Sequence, residues 1–151
     1  MARVLFVCLH NAGRSPMSEA LFAQAAEGRH EAESAGTAPA ARVHPQVVEV
    51  MRETGIDLGG RVPQRLDRAR AERADVVVTM GCGDECPYIP GTRYVEWNLS
   101  DPKDLSVEEV RAVRDEIAVR VRALLAELEE TTPATLSDSR SVRPSPLQVE
   151  R

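Results

Sequence analysis

Val4-Leu5-Phe6-Val7-Cys8-Leu9-His10-Asn11-Ala12-Gly13-Arg14-Ser15-Pro16 carries three local signals in succession. Val4 to Val7 is a continuous apolar run, the pattern of a strand buried on both faces. Ser15-Pro16 is a helix opening, because proline fits the first turn, where its missing N–H costs nothing. That helix is expected to run to about residue 27, with Gly28 to stop it. Asn11 and Gly13 between the two suit a tight loop, since Asn tolerates positive φ better than most residues and Gly adopts angles that others resist.

Working outward, Val76-Val77-Val78-Thr79 is a second apolar, β-branched run. Residues 31–34 and 94–97 are shorter, partly polar strand candidates. Helices are expected over residues 45–54, with Val47, Val48 and Met51 on one face and Gly55 ending it, and over 64–73 as a charged, exposed segment. Ser106-Val107-Glu108-Glu109 reads as a capping box. Val110, Val113, Ile117, Val121, Leu124, Leu125 and Leu128 then keep helical spacing. Strand and helix alternate, which predicts a doubly wound α/β fold with a mostly parallel sheet. One domain is expected over residues 1–130. Residues 131–151 are rich in Ser, Thr, Pro and Arg without periodicity, and are expected to form a disordered tail.

A chain of 151 residues is the size of one domain, and 42% hydrophobic with 28% charged residues is ordinary for a globular protein. A net charge of −5 argues against nucleic acid or an anionic membrane surface as the main partner. No apolar run approaches the ~20 residues of a membrane span, and the run before Cys8 is too short for a signal peptide. A cytoplasmic location is therefore expected. Three cysteines fit thiol chemistry in a reducing compartment better than a disulfide framework.

The loop between the first strand and helix has the form Cys-x5-Arg-Ser. A loop wrapped onto a helix N-terminus points backbone N–H groups inward, here those of Leu9, His10, Asn11, Ala12, Gly13, Arg14 and Ser15, and makes a nest for a tetrahedral oxyanion. Arg14 can close the ring with a planar fork that binds two oxygens. The N–H dipoles, the helix end and Arg14 all favour a thiolate at Cys8, so its pKa is expected below the ordinary ~8.5. Ser15 can donate to that thiolate. Cys-x5-Arg occurs by chance in other settings; the strand before it and the Ser-Pro after it are what point to an anion site.

Residues 4–20 resemble the opening of low-molecular-weight tyrosine phosphatases and of the arsenate reductases related to them, and the resemblance extends over roughly residues 3–129. It implies a single domain with a four-stranded parallel sheet and helices on both faces, and loop support by Asn11 with Ser34 and Glu19. In some arsenate reductases a potassium ion sits beside the positions of Asn11, Glu19 and Ser34 with help from an Asp. Gln64 stands near that place here, so the ion is not predicted; separately, no metal and no cofactor is expected.

Two features separate the branches. The strand ending at Thr79 leads into Met80-Gly81-Cys82-Gly83-Asp84-Glu85-Cys86-Pro87. Neighbouring parallel strands lie ~4.8 Å apart and end on the same edge, where ligands bind, so Cys82 can reach Cys8, and Cys86 can reach Cys82. Three thiols in series form a relay that passes a disulfide outward. Phosphatases need only the first, whereas arsenate reductases coupled to thioredoxin resemble this chain in having three. The spacer Gly83-Asp84-Glu85 is shorter than in the best-known members. A pair of incidental thiols, or a zinc pair, is the competing reading, but His10, His30 and His44 are scattered. Secondly, Asp101-Pro102 shortly before the last helix resembles the general-acid loop of both branches, although an isolated Asp-Pro can be a simple turn. Asp101 would protonate the leaving oxygen. Phosphatases of this family usually carry an aromatic residue next; Lys103 stands there, which suits a small inorganic substrate. The expectation is an arsenate reductase using thioredoxin or a low-molecular-weight thiol. A phosphatase working through a Cys8 phosphocysteine and a non-catalytic oxyanion-binding regulator are the alternatives.

Overall fold

A computed structural model describes residues 1–81 and 88–130, the last of these for its backbone only. Cys82, Cys86 and the expected tail at 131–151 lie outside the described residues. The elements run β1 (Arg3–Cys8), α1 (Arg14–Ala26), β2 (Glu31–Gly36), α2 (Pro45–Arg52), α3 (Arg68–Arg73), β3 (Val76–Thr79), β4 (Arg93–Glu96), a 3-10 turn (Pro102–Asp104) and α4 (Val107–Glu130). The four strands form one sheet in the order β2-β1-β3-β4, with every neighbouring pair parallel.

The chain leaves β1 toward β2 on one side and returns past it to β3 on the other. The strand order therefore reverses at β1, and the crevice beyond its carboxyl end is where such sheets bind ligands. Cys8 is the last residue of β1. Val7 is paired with Ala35 of β2 and with Thr79 of β3, so residues 80 and 81 leave the sheet at the level of Cys8.

Residues of β1 alternate between two cores, as the two-residue period of a strand requires. Val4, Phe6 and Cys8 face α1, α2 and α4, whereas Leu5 and Val7 face Ala71 of α3 together with Ala74 and Val77. Phe6 is fully buried, with its ring centroid 5.7 Å from those of Phe22 and Trp97. In α4, Ser106 Oγ accepts from Glu109 N–H at 3.2 Å, and Glu109 Oε1 accepts from Ser106 N–H at 3.0 Å. This reciprocal pair is the expected capping box. Among the described residues no helix is long and apolar enough to cross a membrane.

The expected helix at 64–73 is half strand-like. Gly36 N–H donates to Gln64 O and Leu66 N–H to Gly36 O, both at 2.8 Å, so this backbone extends the end of β2 instead of turning. Helix α3 starts only at Arg68, where Asp67 caps it by accepting from Arg70 N–H at 2.8 Å. It is not wholly exposed either: Ala71 is buried beneath the sheet.

Candidate active site

The segment from Cys8 to Arg14 is held from outside by its carbonyls. Those of Cys8, Leu9, His10 and Ala12 accept from Thr37, Ala38, Ala40 and His44 N–H at 3.3, 2.8, 2.9 and 2.9 Å. In a trans peptide the N–H points opposite to the carbonyl, so carbonyls fixed outward turn N–H groups toward the loop's interior. Asn11 adopts φ 50°, in the left-handed region that its sequence position in a tight loop suggested. Gly36 is needed beside it, since a Cβ there would stand 2.8 Å from both Asn11 N and Leu9 O.

Cys8 is buried with a free thiol, and its Sγ shares a hydrogen bond of 2.9 Å with Ser15 Oγ. Asn11 Nδ2 donates to Ser15 Oγ at 2.8 Å and to Ser34 Oγ at 3.0 Å. Ser34 Oγ donates to Glu19 Oε1 at 2.7 Å, while Asn11 Oδ1 accepts from Gln64 N–H at 2.7 Å. Arg61, which the sequence did not single out, pairs with Glu19 and donates to Ser34 Oγ at 3.2 Å.

Arg14 is 8% exposed. Its Nη1 donates to Leu99 O at 3.3 Å and its Nη2 lies 3.5 Å from Asp101 Oδ2. Its Nε is buried without a hydrogen-bond partner. A buried cationic N–H left open is costly, and an anion in the nest is the chemistry that would satisfy it. Asp101 is partly exposed and also accepts from Lys103 N–H at 3.0 Å, capping the 3-10 turn. Pro102 is buried against Gly13, and Gln46 Nε2 donates to Pro102 O at 3.0 Å. Burial holds the His44 imidazole below its usual pKa, opposed by Asp101 and assisted by His10 and Lys103. His44 is thus a neutral wall of the site near pH 7.

Cys8, Arg14, Asp101 and the loop residues are therefore gathered at one sheet edge, with Asn11, Ser34 and Glu19 joined behind them. The expected partners Cys82 and Cys86 lie outside the described residues. Gly81, just before Cys82, packs on Arg14: with φ +90°, its Cβ would stand 2.8 Å from Arg14 Nη1. A glycine preceding the second cysteine was the one hint of this close approach. Arg61, Gln46 and Leu99 O had none, because their roles arise from folding.

The family model described as low molecular weight phosphotyrosine protein phosphatase matches residues 3–134. A Halobacterium salinarum relative named for arsenate reduction is 41% identical over 128 residues, covering 81% of this chain and 89% of its own. A glutaredoxin arsenate reductase of Synechocystis is 34% identical over 131 residues, covering 85% and 99%. Among solved structures, a Corynebacterium glutamicum thioredoxin-dependent arsenate reductase superposes with TM-score 0.75 at 36% identity over 87% of this chain, which spans 63% of that one. An arginine phosphatase from Geobacillus stearothermophilus superposes with TM-score 0.71 at 26% identity, covering 85% and 94%. The chain belongs to the low-molecular-weight phosphotyrosine protein phosphatase family.

Proposed function

We propose that this chain is an arsenate reductase with Cys8 as nucleophile. The observation that carries the reading is Gly81 against Arg14: at the residue preceding a second cysteine, a Cβ would stand 2.8 Å from Arg14 Nη1. Hydrolysis of a phosphate ester through Cys8 calls for no second thiol in the sequence that follows. The naming of the relatives for arsenate reduction supports the same choice.

Arsenate binds in the nest with Arg14 on two of its oxygens. The Cys8 thiolate forms an S–As bond as one oxygen leaves, protonated by Asp101. Cys82 thiolate then attacks Cys8 Sγ. The S–As electron pair goes to arsenic, which falls from As(V) to As(III) and departs as arsenite, leaving a Cys8–Cys82 disulfide. Cys86 attacks Cys82 and frees Cys8, and an external dithiol of the thioredoxin or glutaredoxin kind reduces the Cys82–Cys86 bond. Such a cycle needs a reducing compartment, in keeping with the cytoplasm.

Mass spectrometry of disulfides after one arsenate turnover tests this. Wild type should accumulate Cys82–Cys86, and Cys86→Ser should release one arsenite and stall at Cys8–Cys82. Steady turnover of Cys86→Ser with thioredoxin as the only reductant would overturn the relay. Hydrolysis of phosphotyrosine or phosphoarginine without arsenite formation would favour the phosphatase reading.

A further inference from the structure

We infer that Arg61 is a positioning residue for the anion site, a fixed internal cation that sets the direction of the hydrogen-bond chain ending at Cys8. This rests on the nest being an oxyanion site. The Arg61 and Glu19 side chains are 26% and 17% exposed, whereas an ordinary surface pair such as Arg68–Glu72 is 66% and 53% exposed. Partial burial reduces screening, so the pair is more than a solvated contact.

Its effect on the nest follows from donor and acceptor counting. A carboxylate paired with a guanidinium only accepts, so Ser34 spends its one hydrogen on Glu19 Oε1. Ser34 Oγ must then accept from both Arg61 Nη2, at 3.2 Å, and Asn11 Nδ2, at 3.0 Å. The Asn11 amide is thereby oriented with Nδ2 toward Ser34 and Ser15, and with Oδ1 toward the Gln64 N–H. Ser15 Oγ accepts from Asn11, which leaves its own hydrogen for Cys8 Sγ, 2.9 Å away. The same Asn11 is the loop residue at φ 50°, so the chain fixes both the backbone turn and the donor facing the sulfur. Arg61 and Gln64 belong to one strap between α2 and α3, which clasps Asn11 through Ser34 on one side and directly on the other. Without the guanidinium, Glu19 is left partly buried beside no matching charge. Swinging it toward water relieves that cost and releases Ser34.

Orthophosphate, an oxyanion that thiols do not reduce, is the probe, titrated calorimetrically into the full chain. Arg61→Ala should weaken phosphate binding roughly tenfold, by analogy with the low end of the loss seen when an outer-shell partner is removed at a metal site. Millimolar guanidinium chloride should restore part of it, and Arg61→Lys should lie between Arg61→Ala and wild type. Should Arg61→Ala fail to fold, the neutral pair Glu19→Gln with Arg61→Gln removes both charges together and should fold yet bind phosphate weakly. Wild-type phosphate affinity in whichever of these variants folds, with only the melting temperature lowered, would overturn the inference. Failure of the wild-type chain to bind phosphate would instead overturn the anion-site reading beneath it.

Discussion

A side chain on Gly13 would place its Cβ 2.4 Å from Cγ of Pro102, so the anion loop and the Asp101 loop touch with no room for a methyl group. Pro102 is buried and its ring is rigid, and Gln46 and the 3-10 turn hold it from the other side. The glycine of the loop therefore sets the distance between nucleophile and proposed acid. Gly13→Ala should push the Asp101 loop away. Such overpacking costs about 1–3 kcal/mol. Turnover should fall by up to about a hundredfold, as a displacement near 1 Å of a reacting group does. Stopped-flow arsenite release and a thermal melt would show both; unchanged turnover would mean that Asp101 does not act on the leaving oxygen.

Gly81→Ala should act differently. Its φ of +90° makes any side chain strained, at roughly 1–2 kcal/mol. The atom met is the end of Arg14, which can give way, but Arg14 is held by Leu99 O and Asp101. The displacement is therefore passed to the guanidinium. Phosphate affinity should fall roughly tenfold, more than the small loss of stability would suggest. A variant that binds phosphate normally would separate Arg14 from the Cys82 segment.

His30 predicts acid sensitivity away from the site. Burial is the largest influence and lowers its pKa from 6.5, against a smaller opposing pull from Glu129. Its Nδ1 accepts from Ala2 N–H at 3.0 Å, a bond that a protonated Nδ1 cannot make. A lowered histidine pKa means that the unfolded chain takes the proton first. The contribution to stability is full above pH 6.5 and is lost as pH falls through the lower folded value. Urea midpoints should be flat above that pH and decline below it, and His30→Gln should shrink the decline. An equal decline in the variant would place the titration elsewhere.

Deletion of residues 131–151 should leave arsenite release and melting temperature nearly unchanged, because that segment has no periodic apolar face to dock. A melting temperature lower by about 5 °C, equivalent to roughly 1–2 kcal/mol, would show that it packs on the domain.

Residues close together in the chain determined much of this protein without help. Val4–Val7 and Val76–Thr79 are apolar enough to be read as buried strands, Ser106–Glu109 caps its own helix, and Cys8 and Ser15 meet across a single loop, so local spacing sufficed. The tertiary structure decided whatever depends on partners far along the chain. Residues 64–66 open a segment whose charges, carried mostly by residues 67–73, suggest an exposed helix, yet they extend beside Gly36, because the β2 end and Asn11 offer their backbone better hydrogen bonds than a helical turn. Arg61 became the counter-charge of Glu19, 42 positions away, through a strap whose sequence carries no mark of it. A charged side chain reads as surface until folding supplies the carboxylate and the partial burial that give it a role.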